Sequence, residues 1–224
     1  MFAAGSVQHG YYLAFTVAAI DGSGVGDPAF DDDGVVVESD CRRVPLTDPD
    51  CVPAYNASFS LQADGQRNRL SGKWRGVDSG LTDGDLGQPS TGTQYSICVY
   101  DTTAGSPTLA SWISFPSANW QERTPAKGWR YNGLRSFAYG RISGVLDLLA
   151  EVGDGRPKFR FRSGLPNDYL VLSMPAPYGP TEFFNQDSTV VVQLVSSDGL
   201  CALSEFGVDA TRTNDGERFA AKIH

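Results

Sequence analysis

The sequence predicts an all-β protein, an antiparallel β-sandwich or jelly-roll-like architecture, on three observations. First, 25 Gly and 13 Pro are spread through 224 residues, and only 93–104 and 181–198 run for twelve or more residues without either. A typical helix takes up about 11–12 residues, and both windows hold strand-like sequence, TQYSICVYD and STVVVQLV. Second, β-rich runs bounded by turn residues recur along the chain, and sheets with one apolar face must cover each other. Third, 41% hydrophobic and 11% aromatic residues supply a core and argue against disorder. A helical bundle is excluded, and crossover helices of a doubly wound fold have nowhere to sit.

The elements follow in order. Residues 11–20, YYLAFTVAAI, form a first strand; ten residues are too few to span a bilayer, and no Lys or Arg precedes them as a signal peptide requires. Residues 21–55 are irregular and rich in Asp, Gly and Pro, with Val35-Val36-Val37 as a short strand. Residues 57–62 and 69–75 alternate in polarity, Phe59 and Leu61 facing one way and Leu70 and Trp74 likewise, with Asp64-Gly65 turning between them. Residues 94–100 are apolar on both faces and belong inside a sheet, followed by 109–115. Residues 116–128 are punctuated by Pro and read as a connection between two halves. Strands at 137–142 and 145–151 follow, although VLDLLAEV is the one place where a short helix fits, since Leu, Ala and Glu are weak strand formers. Residues 158–162, 169–173 and 189–195 are strands. Ser197-Asp198-Gly199 turns VVVQLV into LCALSEF, a strong hairpin signal. Residues 207–224 hold Phe219 and Ile223 for one more strand or a docked tail. Two packed modules, 1–120 and 121–224, are favoured over one domain.

The net charge of −8 repels polyanions at long range, and no Lys/Arg block offsets it locally, so nucleic acid is not an expected partner. The densest basic stretch, Arg156 to Arg162, alternates with Phe159 and Phe161, as a half-buried strand does with its cations in water. A stacking platform for single strands shares that pattern, but the acidic remainder favours the strand reading.

Cys41, Cys51, Cys98 and Cys201 lack C-x-x-C spacing, and His9 and His224 lie at the chain ends, so no zinc pattern appears. Two disulfides and an oxidising compartment, extracellular or periplasmic, are expected. Cys41 and Cys51 bracket a short loop that a bridge would restrain by about 2–3 kcal/mol; Cys98 and Cys201 lie in strands, suited to a bridge or to two buried thiols. Three pairings remain open. Asn56-Ala57-Ser58 is an N-glycosylation sequon.

Gly84-Asp85-Leu86-Gly87-Gln88-Pro89, Thr93 to Asp101 (TQYSICVYD), Gly128-Trp129-Arg130-Tyr131 and Val190 to Ala202 (VVVQLVSSDGLCA) stand in this order. As a set they resemble uncharacterised exported bacterial β proteins that carry T-x-Y-x-L-C-V-Y-D, G-W-K-Y and V-T-V-Q-L-V-N-S-x-G-x-C-W. The resemblance covers roughly residues 59–206. It implies an exported β protein with nothing catalytic, and its two cysteine motifs favour a Cys98–Cys201 bridge. The chain departs from the group at Gln88, where the group has Asp, and at Ala202, where it has Trp; the first weakens a metal role for that loop.

A Ser-His-Asp or Cys-His hydrolase needs a histidine positioned by the fold, and no G-x-S-x-G elbow occurs. A glycoside hydrolase needs two carboxylates; Glu38, Glu122, Glu151, Glu182, Glu205 and Glu217 are spaced like surface charge. Calcium takes six to eight oxygens, which Asp21, Asp27, Asp31, Asp32 and Asp33, or Asp83 and Asp85, offer on acidic Gly loops; solvated turns are the plainer reading, and no cofactor is required. Trp74 and Trp112 belong to strands and the core. Trp120, Trp129 and Tyr131 lie in the connection and are the candidate carbohydrate platform, with core anchoring as the competing role. The expected function is a non-enzymatic, exported structural or self-associating protein of an extracellular surface, with the apolar N-terminal stretch and the C-terminal tail offered for exchange. A carbohydrate-binding module is the alternative, and a carboxylate glycosidase the third.

Overall fold

Buried and outward residues alternate along 57–62, 69–75, 158–162 and 218–222, whereas residues 95–100 and 190–196 are buried on both faces. The computed structural model describes residues 29–30, 36–37, 41–47, 49–63, 69–77, 83–103, 105–115, 119–123, 128–132, 144–152, 156–163, 179–185 and 189–224. The strands expected at 11–20, 137–142 and 169–173 lie outside them.

A two-residue ladder joins β1 (Ala29–Phe30) to β2 (Val36–Val37). The main sheet is built from β3 (Val52–Gln62), β4 (Arg69–Val77), β5 (Tyr95–Thr103), β6 (Ser106–Phe115), β7 (Trp120–Glu122), β8 (Gly128–Asn132), β9 (Gly144–Val152), β10 (Arg156–Ser163), β11 (Thr189–Ser196), β12 (Cys201–Gly207), β13 (Thr211–Asn214) and β14 (Arg218–Ile223). Its order is β6-β5-β11-β12-β3-β4-β10-β9-β8-β7, with β14 also pairing β3 and β13 pairing β14. The sheet curls into a half-barrel. It is mixed rather than antiparallel as the sequence suggested: β12 and β3 run parallel, Ala202 opposite Val52 and Leu203 opposite Pro53. The long β3 makes this possible, since its first residues meet β12 and its residues 57–62 meet β14.

The expected hairpins form. β3 pairs β4 with Phe59 opposite Gly72 and Leu61 opposite Leu70, and Ser197-Asp198-Gly199 turns β11 into β12, Gly199 at φ +94°. The segment VLDLLAEV is strand, not helix: β9 lies between β8 and β10, hydrogen-bonded on both sides, and those partners override weak strand propensity. The expected connection at 116–128 contributes a third hairpin, β7 with β8. Position 120 therefore falls in a strand, and β4–β10 and β5–β11 join strands from either side of it into one sheet.

The curl brings rings from β5, β6 and β12 against rings from β3, β7, β8 and β10. Phe115 lies 5.4 Å from Phe161 and 5.3 Å from Tyr131, Tyr95 lies 5.6 Å from Trp120, and Phe59 lies 6.3 Å from Phe206. Fully burying such a side chain removes apolar area worth roughly 1.5–3 kcal/mol, so these rings dominate the packing. Residues 179–185 close one end: Asn214 Oδ1 accepts the backbone N–H groups of Phe183 and Phe184, and Phe184 packs on Phe219 at 4.9 Å.

Both disulfides form, but not in the favoured pairing. Cys41 bonds Cys98 and Cys51 bonds Cys201. Residues 41–47 and 49–51 lie over β5, β11 and β12, where Val191, Val195 and Leu203 are buried with the four cysteines. Cys51 and Cys201 precede the parallel pair Val52–Ala202, which sets them side by side. Gln193, wholly buried, is satisfied by the same segment: its Nε2 donates to Leu46 O at 2.6 Å and its Oε1 accepts Leu46 N–H. Each end of the segment is thus tied to the sheet, not to the other end, and Cys98 and Cys201 serve different bridges.

Candidate functional site

The sequence-proposed positions divide. Asp21, Asp27, Asp31, Asp32 and Asp33 lie outside the described residues. Asp83 and Asp85 stand on a 3-10 turn, Asp83–Leu86, anchored by the buried Leu86, whose carbonyl accepts the Tyr95 hydroxyl at 2.9 Å. Among the described residues no three His, Cys, Asp or Glu gather where they could hold a metal ion. Trp120, Trp129 and Tyr131 are buried, at 7%, 9% and 0% exposure. They are core anchors rather than an exposed platform, because β7 and β8 turn them inward against Tyr95 and Phe115. The C-terminal tail, offered for exchange, lies on its own sheet with Phe219 opposite Leu61. Burial pushes the Tyr95 and Tyr100 phenols well above the usual tyrosine range, Asp198 adding to the effect at Tyr95 and the Arg42 backbone opposing it at Tyr100, so both stay neutral.

What the fold assembles is a cationic sheet face. On β4, Leu70 and Trp74 are buried, which sends Arg69, Lys73 and Arg75 outward. On β10, Phe159 and Phe161 are buried, which sends Lys158, Arg160 and Arg162 to the same side, as the alternation predicted. On β14, Phe219 and Ala221 are buried and Arg218 and Lys222 face out. Register then decides who meets whom, since residues directly opposite share a face. Lys73 stands opposite Arg160, Arg75 opposite Lys158 and Arg162 opposite Ser71. Lys222 stands opposite Ser58, which stands opposite Lys73. Arg218 meets Gln62, which meets Arg69. Farther along, Arg160 stands opposite Asp147, which stands opposite Arg130 and holds it at 3.6 Å.

Half of the chain's 18 Lys and Arg therefore share one face of a molecule whose net charge is −8. The outward positions of β14, β3, β4 and β10 hold no carboxylate; between the cations stand Asn56, Ser58, Ser60, Gln62, Ser71 and Ala220. The crowding is felt at its centre. Burial first, and then the charges of Arg75, Lys158, Arg160 and Lys222, hold the Lys73 ammonium below the usual lysine range. Asn56 of the glycosylation sequon sits on this face opposite Arg75.

The sequence marked the outward cations of β10 and, by the alternation of residues 69–75, Arg69, Lys73 and Arg75 of β4, but neither their adjacency nor the β14 contribution. Residues 73, 160 and 222 are far apart in the chain, and no local block announces them. The usable signal was the repeated pattern of buried apolar with outward basic in three separate strands; what it lacked was their adjacency. Compared with known proteins, the chain matches no family model, no curated protein and no solved structure.

Proposed function

We propose that the protein is a non-enzymatic contact protein of an extracellular surface, and that the cationic face of β14, β3, β4 and β10 is its working surface toward a negatively charged component. One observation carries this reading: cations crowd on a regular, hydrogen-bonded sheet although like charges placed side by side oppose folding. A face that is merely solvated gains nothing from that arrangement, whereas a charged partner relieves it. The two disulfides suit an oxidising compartment, and the resemblance to exported β proteins supports the same location. Ring contacts between the two ends of the strand order support reading the curled sheet as the facing layers of a sandwich.

The test uses the charge imbalance. A protein of net charge −8 is expected to pass through a cation exchanger at neutral pH. Here retention at low salt is expected, with elution as salt screens the face, and earlier elution of Lys73→Gln/Arg160→Gln. Passage of the parent protein without retention contradicts the reading. Self-association, the other expectation from the sequence, enters through the same surface: a salt-sensitive oligomer in sedimentation, lost in that double variant, makes a second copy the partner.

A further inference from the structure

We infer that the cationic face binds a linear acidic polysaccharide, with carboxylate or sulfate groups on its Lys and Arg and sugar hydroxyls on the Ser, Asn and Gln between them. The inference rests on the reading of this face as the contact surface, and narrows the partner to one chemistry.

The geometry points to a linear ligand. Register places Lys222, Ser58, Lys73, Arg160, Asp147 and Arg130 in one row across β14, β3, β4, β10, β9 and β8. At about 4.8 Å per strand spacing, that row runs roughly 24 Å. A second row, with Arg75 opposite Lys158, lies beside it two residues away, about 7 Å along the strands. Extended polymers with regularly spaced charges match such rows better than a compact anion does.

The residue types narrow the class. Lys and Arg donate hydrogen bonds and accept none, so a ligand that met only cations would have its hydroxyl protons unmatched; Ser, Asn and Gln both donate and accept. The outward positions from Asn56 to Gln62 on β3, and those of β14, β4 and β10 that pair across from them, hold no ring, because Trp74, Phe159 and Phe161 point into the core; the exposed Tyr55 precedes these positions and stands alone as an exposed ring among the described residues. Stacking of single-stranded bases therefore has no platform there. The same positions hold Ala220 as their only apolar side chain, and membrane-surface binding draws on buried apolar area as well as charge.

The experiment measures binding of the full, oxidised chain to polygalacturonate, with methyl-esterified polygalacturonate as the neutral control of the same backbone. Binding to the free acid is expected at low salt, falling as salt rises, with little to the ester. Lys73→Gln/Arg160→Gln, whose side chains face out, should keep the far-ultraviolet spectrum of the parent and weaken binding at least about tenfold, as loss of two ion-releasing contacts implies. Lys222→Gln should give a smaller loss, and Arg43→Gln, on the segment over β5 and β11, none. Equal binding of acid and ester overturns the inference, as does undiminished binding by a folded double variant. Tighter binding of phosphatidylglycerol vesicles or of single-stranded DNA at the same salt also overturns it while leaving the contact surface standing. Failure on both polygalacturonate and the cation exchanger removes the surface itself.

Discussion

Gly87 sits at φ +60°, and a Cβ there would meet Thr93 Oγ1 and stand 2.6 Å from Asp198 Oδ2. Those two groups are already engaged: Thr93 Oγ1 donates to Asp198 Oδ2 at 2.6 Å and accepts Gln88 N–H at 2.7 Å. Gly87→Ala must strain the backbone and open this contact, so it should cost about 2 kcal/mol or more in urea unfolding; a neutral result would mean that the turn relaxes freely. Lys73 acts in the opposite sense. Its lowered pKa means that the folded state disfavours the charged amine. Below that lowered value the charge is present in both states and the penalty is complete. As pH rises through it, the folded chain releases the proton before the unfolded chain does near 10.5, so stability recovers with pH. Solvent screens so accessible a group; Lys73→Gln should therefore stabilise the protein by no more than about 0.5 kcal/mol at low salt, the lower part of the range for facing like charges, and by less in high salt. A destabilised Lys73→Gln would show that packing of the lysine stem outweighs repulsion. The same substitution weakens the proposed binding, so stability and function pull against each other at this residue.

Elements were legible where one side of a strand is buried. Phe59 and Leu61, Leu70 and Trp74, and Phe159 and Phe161 announce β3, β4 and β10 by alternation alone, and Asp198-Gly199 announces the last hairpin. Legibility failed where partners decide. The helix-like letters of β9 became strand because β8 and β10 hold both its edges. Trp120, Trp129 and Tyr131 read as available in a Pro-broken connection, yet the short hairpin of β7 with β8 was enough to turn them inward. Cysteine pairing was also beyond reach, because it depends on the parallel contact of β3 with β12, which no local pattern marks. Peptide mapping without reduction should recover 41–98 and 51–201 links; a 98–201 link would contradict the register of β12 on β3. The bridges close sequence separations of 57 and 150 residues, and losing one should cost roughly 3–5 kcal/mol in the chain-entropy model. Cys41→Ala/Cys98→Ala and Cys51→Ala/Cys201→Ala, compared by thermal unfolding, check that figure.

At the scale of the molecule, folding separates charge. The chain is acidic by composition, yet its strands place half of the cations on one face, leaving the rest of the surface more negative than the net charge suggests. The repulsion of polyanions that composition predicted is a long-range effect of net charge, and ordinary ionic strength largely screens it beyond about 8–10 Å. Closer in, the arrangement of β4, β10 and β14 governs. Three of the chain's lysines, Lys73, Lys158 and Lys222, lie on this face. Acetylation of lysines, read by mass spectrometry with and without polygalacturonate, interrogates all three at once. Joint loss of reactivity at Lys73, Lys158 and Lys222, restored by added salt, is the predicted result. Unchanged reactivity at these lysines while the polymer is bound would contradict the account.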